Sequence, residues 1–174
     1  FTTWIFGREF SDHMAKELLA LPTSREAIIG AKFIMIAVWS SFLTLLCYGL
    51  GLIVGKLIVI PGWSVGLLHS ATTAILGSGL LTILLLPWVA FVASAGHGYL
   101  SPFGWIVLTV ILSQIAAITG WGDWFPWSIP ALFSGAAGPR ADLLGWHSYV
   151  IVVITSILGL VATLYWWRSA DQTR

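Results

Sequence analysis

The chain has 174 residues, of which 58% are hydrophobic and only 9% charged, and its formal net charge is +1. Soluble domains carry about 25% charged residues, so this composition, with a mean hydropathy of +0.93, excludes an ordinary soluble domain and indicates a membrane protein. The near-neutral charge also argues against a nucleic-acid partner, because a phosphate backbone requires a basic surface.

Three long segments contain no Asp, Glu, Lys or Arg: residues 33–55, 57–122 and 143–167. A helix needs about 20 apolar residues to cross the hydrocarbon core of a bilayer, and the middle segment is long enough for two crossings. We therefore predict an all-α fold, a polytopic membrane helix bundle that forms one transmembrane domain over residues 1–174. Its four transmembrane helices are expected within 33–167.

More than half of the charged residues lie before the first span, in residues 7–32. Pro22 divides this segment into two helical pieces. Thr23 and Glu26 have the spacing of a capping box, so the second piece is predicted to begin near Ser24 and to run directly into the first span. The pattern fits an amphipathic linker on the membrane surface, and it also fits a docking helix that transmits force from a soluble partner, which is the interpretation we prefer.

Lys and Arg are distributed unequally about the four predicted spans. Six of the eight precede the first span or follow the last, whereas Lys56 and Arg140 lie on the other side. Loops rich in Lys and Arg remain in the cytoplasm. We therefore expect both ends of this chain to be cytoplasmic, which agrees with an even number of spans.

The connection between the third and fourth spans, residues 120–146, is rich in tryptophan and proline. Trp121, Trp124, Pro126 and Trp127 lie close together in its first part. An aromatic belt at the membrane interface would explain these residues. A short outer segment that re-enters between the spans and forms a gate would explain them as well. The sequence leaves both interpretations open.

A nucleotide-binding loop is missing from the sequence. The stretch from Gly51 to Lys56 comes nearest to a Walker A motif, but its spacing is wrong and Leu57 stands where Ser or Thr would bind magnesium. If ATP drives this protein, another chain must bind it.

Two functions other than transport remain as alternatives. His69 and His147 lie near the outer ends of two spans and could hold a haem in an electron-transfer subunit. Ser78 with His147 could form the dyad of an intramembrane enzyme. Histidines in a helix bundle are more often structural, and small residues in spans are more often packing surfaces. We therefore expect no metal, no cofactor and no catalytic residue in this chain.

The charged segment also resembles a known family. Residues 6–10 (FGREF), 16–26 (KELLALPTSRE) and 31–32 (AK) are similar to the first cytoplasmic loop of type-2 ABC exporter permeases, above all those linked to bacitracin and lantibiotic export. The stretches 125–127 (FPW) and 165–168 (YWWR) are similar to the same subfamily. The resemblance extends over essentially the whole chain.

This resemblance implies a permease subunit of an ATP-driven exporter in the bacterial cytoplasmic membrane, moving a hydrophobic or amphipathic substrate such as a peptide antibiotic. Its partners would be a separate ATP-binding cassette subunit, which holds ATP and magnesium, a second permease copy or a homologue, and membrane lipid. The first loop would contain the coupling helix, and residues 97–102 would form a second cytoplasmic contact. The residues that would dock on the ATPase are Arg8, Glu9, Lys16, Glu17, Arg25 and Glu26. The re-entrant residues that would form the gate are Trp121, Trp124, Pro126 and Trp127.

The resembling family has six spans, whereas this sequence has room for four. Residues 1–6 would correspond to the end of the family's second span. We therefore expect either that the natural subunit is longer or that this chain is a truncated product.

Overall fold

The computed structural model describes residues 2, 3, 5, 25–58, 64–96, 100–136 and 144–169. Within these ranges the chain forms helices and turns only. The helices are α1 (Arg25–Leu57), α2 (Val65–Ala95), α3 (Leu100–Thr119), α4 (Ile129–Phe133) and α5 (Trp146–Ser169). All but the short α4 are long and apolar enough to cross a bilayer. The predicted all-α fold with four transmembrane helices is confirmed.

Helix α1 begins well before the first charge-free segment. It starts at Arg25 among the described residues, places Glu26 in its first turn, and continues without a break through Lys32 into the apolar region. A carboxylate in the first turn stabilises a helix by its interaction with the helix dipole. The predicted continuous run from the charged segment into the first span is therefore present from Arg25 onwards, while the proposed cap at Thr23 lies outside the described residues.

Helices α2 and α5 pack closely and run in the same direction. The indole of Trp88 donates a hydrogen bond to the Thr155 carbonyl oxygen at 2.7 Å, and that of Trp167 donates to Ser94 Oγ at 3.0 Å. Between these contacts the two backbones meet, because a Cβ atom on Gly159 would lie only 2.9 Å from the backbone nitrogen of Trp88. Such close approach at a small residue is typical of helix packing in membranes.

Buried apolar side chains form two clusters, one in each half of the bundle. The first lies where α1 begins and where α2 and α5 end, and we call this side the charged end because Glu26, Lys32 and Arg168 belong to it. Its buried members are Ile29, Ile36, Ala90, Ala93 and Trp167. The second cluster joins α4 to α2 and α5. Its buried members are Leu81, Leu85, Ile129 and Val152.

The opposite side of the bundle, where α1 and α3 end and where α2 and α5 begin, is named the tryptophan-rich end. Trp121, Trp124 and Trp146 are exposed there. Between the two ends, α1 and α3 present exposed apolar side chains such as Leu45 and Ile115. A continuous apolar surface of this kind suits lipid rather than water.

Candidate functional site

The predicted docking residues are described only in part. Arg8, Glu9, Lys16 and Glu17 lie outside the described residues, as do positions 97–99 of the second predicted contact. The backbone of Arg25 begins α1, but its side chain also lies outside the description. Of the six predicted docking side chains, the structure therefore places only Glu26.

Glu26 is exposed at the charged end and forms an ion pair with Arg168 near the end of α5. The buried Ile29 lies one turn further along α1, and Lys32 lies about two turns further. The ammonium nitrogen of Lys32, Nζ, is 4.5 Å from the ring centroid of Trp167. A cation over the face of an indole is attracted by the ring quadrupole. The start of α1 is thus joined to the end of α5 by an ion pair and a cation–π contact, and we call this set of contacts the α1–α5 latch.

Sequence analysis did not identify Arg168 and Trp167 as partners of the charged segment. Both residues belong to a stretch shared with the resembling family, and Arg168 was also counted among the basic residues that follow the last span. Their pairing with α1 depends on α1 and α5 crossing at one end of the bundle, and a single sequence contains no direct information on that crossing.

Residues 120–136, named the re-entrant segment, fold back between the spans. Gly120 and Gly135 mark its two ends and have φ angles of 85° and 75°. Side chains with a Cβ rarely adopt this left-handed backbone, so glycine permits the chain to turn inward and out again. Inside the segment the hydroxyl of Ser128 lies 2.7 Å from the Phe125 carbonyl oxygen and also reaches that of Gly122, which holds the turn before α4.

The re-entrant segment reaches the middle of the bundle. Ile129 and Leu132 are fully buried, and the ring of Phe133 occupies the space where Gly77 has no side chain, since a Cβ there would overlap the ring. Gly77 lies about 18 Å from the first residue of α2, at a rise of about 1.5 Å per residue, so Phe133 contacts α2 well below the tryptophan-rich end. The ring of Trp127 lies still deeper, 5.6 Å from Trp105 in the second turn of α3.

The four residues predicted for the gate fall into two environments. Trp121 and Trp124 are exposed at the tryptophan-rich end, where Trp124 packs on the imidazole of His147 at 4.9 Å between centroids. That imidazole is also held by Asp123, with 3.2 Å between Nε2 and Oδ2. Pro126 and Trp127 are half-buried. The positions of Trp121 and Trp124 suit an aromatic belt, and the position of Trp127 suits a re-entrant element.

Aromatic rings connect the re-entrant segment with the charged end. Successive ring centroids lie between 5.4 and 6.4 Å apart, in tilted, edge-on and stacked arrangements. Ring pairs at such distances attract one another beyond their simple burial. The members in order are Phe125, Trp127, Trp105, Trp88, Phe91 and Trp166. Sequence analysis did not predict this chain of rings, because Trp88 and Trp105 looked like ordinary residues of the spans.

A cavity of about 600 Å³ lies between α2, α3 and the re-entrant segment, with Thr2 and Thr3 also at its wall. None of the described residues that line it is charged. Its apolar wall includes Leu85, Val89, Ile106, Val110 and Trp127. Its polar wall includes Ser78, Thr82, Thr109, Ser113, Gln114 and Ser134.

Sequence analysis also did not predict the polar wall of the cavity, although the spacing of its residues forms a recognisable pattern. Ser78 and Thr82 are four residues apart, and so are Thr109 and Ser113. Residues with this spacing lie on one face of a helix. Two such pairs on neighbouring spans indicate a polar seam. Sequence analysis considered charged residues and nucleophiles, and therefore did not identify this seam of hydroxyl groups.

The comparison with known proteins agrees with this architecture. Residues 1–116 match the family described as ABC-2 family transporter protein. The chain belongs to this family. The permease is also 28% identical to the bacitracin transport permease protein BCRB of Bacillus licheniformis, over 98% of this chain and 81% of that relative. No solved structure matches the chain.

The family membership confirms the ABC permease that the charged segment predicted, and with four apolar helices it makes the chain a multi-pass membrane protein. The side chains considered for the alternative functions form other contacts in the structure. The Ser78 hydroxyl donates to the Ile75 carbonyl oxygen on its own helix, whereas His147 is paired with Asp123. His69 is exposed on α2, and within the described ranges no three His, Cys, Asp or Glu side chains are grouped for a metal ion.

Proposed function

We propose that this permease is the membrane subunit of an ATP-driven exporter that moves a hydrophobic or amphipathic molecule across the bacterial cytoplasmic membrane. The uncharged cavity beneath the re-entrant segment is the observation that carries this proposal. Ion and proton paths through membranes use ionisable side chains. A cavity with an apolar wall and a seam of hydroxyl groups suits an amphipathic substrate instead.

The energy enters from a separate ATP-binding cassette subunit that docks on the charged segment at the cytoplasmic face, with ATP and magnesium held on that partner. The α1–α5 latch supports this route, because a displacement of Glu26 acts directly on the end of α5 through Arg168. Since α5 packs closely on α2, the motion reaches the wall of the cavity. A second permease copy or a homologue completes the path.

The re-entrant segment is the gate between the cavity and the outer face in this mechanism. Trp127 supports this assignment, because its ring lines the cavity and also belongs to the chain of aromatic rings that leads to the charged end. Withdrawal of Trp127 would open the cavity toward the tryptophan-rich end. Trp121 and Trp124 hold the outer part of the segment at the membrane interface.

The docking role is tested by charge reversal. Glu17→Arg together with Arg25→Glu is introduced into the permease, which is purified by an affinity tag after co-expression with its ATP-binding cassette subunit. We expect the variant to lose most of the co-purified ATPase, because two ionic contacts become repulsive. Lys56→Glu, a charge reversal in the last turn of α1 at its opposite end, is the matched control and is expected to retain the partner.

Transport is measured in the same series with inside-out vesicles and ATP. Bacitracin is the first substrate to test, since the relative from Bacillus licheniformis is named for its transport. Unchanged partner recovery and unchanged uptake in the Glu17→Arg, Arg25→Glu variant would contradict the docking assignment.

A further inference from the structure

We propose that a groove between α1 and α2 at the tryptophan-rich end binds an anionic phospholipid, with one acyl chain between the helices and the phosphate on the ammonium of Lys56. This lipid is a bound partner of the permease and not its cargo, so the inference does not depend on the proposed export function. Three features support it: an apolar gap that no side chain fills, an inner end whose hydroxyl protons are already used, and a cation at the mouth.

The two helices touch near the middle of the bundle and leave a gap beyond that point. A Cβ atom on Gly79 would lie only 2.5 Å from the methyl carbon of Thr44, so α1 and α2 are in contact there. Toward the tryptophan-rich end a cavity of about 270 Å³ lies between them, and we call it the α1–α2 groove. Its wall includes the small residues Gly51, Gly55 and Ala71. Small residues leave the space open, and no neighbouring helix has an atom within 4 Å of the position that a Cβ on Gly51 would occupy.

The hydroxyl groups at the inner end of the α1–α2 groove have no proton left to donate. Thr72 donates to the Leu68 carbonyl oxygen at 2.7 Å, so the Tyr48 hydroxyl, which lies 2.8 Å from that of Thr72, is the donor between these two groups. The remaining wall includes apolar side chains such as Leu52 and Ile75. Water would find too few partners in this space, and an empty groove would lose dispersion contacts. A hydrocarbon chain is therefore the occupant that suits the groove.

The length of the α1–α2 groove agrees with an acyl chain. From Gly55 to Tyr48 its wall on α1 extends about 10 Å at a rise of about 1.5 Å per residue. One leaflet contributes about 15 Å of the hydrocarbon layer. The groove thus follows an acyl chain from the headgroup level through most of one leaflet.

Lys56 supplies the charge that complements a phosphate. It lies in the last turn of α1, one turn beyond Leu52 on the same face of the helix, and it is exposed. A lysine side chain extends along apolar surface and places its ammonium at the headgroup level. Lys56 forms no ion pair with any described residue, and the one acidic side chain described at this end, Asp123, is bound to His147.

A second copy of the permease is the alternative occupant of the groove, because glycines spaced four apart also permit close helix pairing. Lys56 argues against this occupant. In an isologous dimer the same patch faces itself, so two ammonium groups would approach each other at the edge of the groove. Like charges at an interface weaken association, whereas an anionic phospholipid brings the opposite charge.

Photocrosslinking tests the site with two lipid probes. One is phosphatidylglycerol with a diazirine in an acyl chain, and the other is phosphatidylcholine with the same chain. Each is added in trace amounts to nanodiscs of unlabelled phosphatidylcholine that contain the permease, and adducts are mapped by mass spectrometry of peptic peptides. We expect the anionic probe to label residues 48–55 and 67–75 about fivefold more than the zwitterionic probe, the effect of one lysine near a headgroup.

Substitutions assign the adducts to the α1–α2 groove. Gly51→Leu places a side chain in the open space and is expected to abolish labelling of both segments. Gly49→Leu is the matched control, because Gly49 has equally open surroundings on the same helix but lies outside the groove wall. It is expected to label like the wild type. Lys56→Gln should make the two probes equal while labelling persists, and Lys56→Arg should keep the preference.

Equal labelling by the two probes in the wild-type protein would mean that surrounding lipid enters the groove without selection, and it would overturn the proposal. So would a groove without adducts, or labelling that Gly51→Leu leaves unchanged. If Gly51→Leu instead dissociates a dimer detected by native mass spectrometry, a second copy is the occupant and the lipid site is wrong. The assay contains neither ATP nor the ATPase subunit, so its failure leaves the export function untouched, which partner recovery and vesicle uptake test separately.

Discussion

At the scale of single residues, positions without a side chain determine where this bundle packs. The Phe133 ring fills the space beside Gly77, and the backbone of Trp88 fills the space beside Gly159. Gly104 on α3 has no atom within 4 Å of the position its Cβ would occupy. The same residue type therefore serves as a packing site in two places and is merely tolerated in the third. Sequence analysis could not separate these cases, because they depend on which helix is the neighbour.

Gly159→Ala is expected to lower the free energy of unfolding in detergent by about 1 to 3 kcal/mol, because the new methyl group meets backbone atoms that cannot move aside. Gly104→Ala is the matched control. It should be neutral or stabilising by up to about 1 kcal/mol, since alanine is the better helix former and the space is open. Thermal unfolding followed by circular dichroism measures both, and equal effects at the two positions would contradict the close α2–α5 contact.

Trp88→Phe is expected to lower the free energy of unfolding by about 1 kcal/mol, because it removes the indole donor of the 2.7 Å hydrogen bond to the Thr155 carbonyl oxygen. Trp146→Phe is the control, since Trp146 is 78% exposed. Chemical denaturation in the same detergent measures the difference. A Trp88→Phe protein as stable as Trp146→Phe would mean that this hydrogen bond contributes little to the α2–α5 pair.

At the scale of helices and segments, the continuity of α1 was predictable and the depth of the re-entrant segment was not. The first depends on local chemistry, because the sequence from Arg25 to Leu57 contains no proline that would interrupt the helix. The second depends on Trp127 meeting Trp105, which lies 22 positions earlier in the chain and on a different element. The sequence therefore left both a belt and a re-entrant gate open, and the structure places Trp124 and Trp127 in different environments.

The α1–α5 latch predicts a specific cross-link. With Cys47→Ser as the background, Glu26→Cys and Arg168→Cys are expected to be joined by a short bismaleimide, because the original side chains touch. Glu26→Cys with Trp146→Cys is the control pair, since Trp146 begins α5 at the opposite end of the bundle. The product is detected by proteolysis between the two helices followed by gel electrophoresis. Equal yields from both pairs would contradict the latch.

At the scale of the whole molecule, the distribution of charge and of tryptophan divides the bundle into two unlike ends. Composition and charge-free segments were enough to predict the number of spans, because burial in lipid demands about 20 apolar residues for each. The cavity could not be predicted in the same way, since it exists only where α2, α3 and the re-entrant segment surround a common space.

The proposed orientation predicts which end can be labelled from outside the cell. In the Cys47→Ser background, Trp121→Cys is expected to react with a membrane-impermeant maleimide in intact cells, whereas Ser169→Cys at the other end should react only after permeabilisation. Both positions are exposed, so access to the reagent is the only difference between them. The reverse pattern would invert the topology and move the charged end to the outer face.

The unequal lengths of the spans have a consequence for the surrounding lipid. Helix α2 has 31 residues and α3 has 20, which correspond to about 46 and 30 Å at about 1.5 Å per residue, while the hydrocarbon layer is about 30 Å thick. The shorter helix matches that layer when upright, whereas the longer one must tilt or protrude, and its inclination follows the thickness of the bilayer. Lipids with shorter or longer acyl chains should therefore widen or narrow the wedge between these two helices, and the turnover of the reconstituted permease should vary with acyl-chain length.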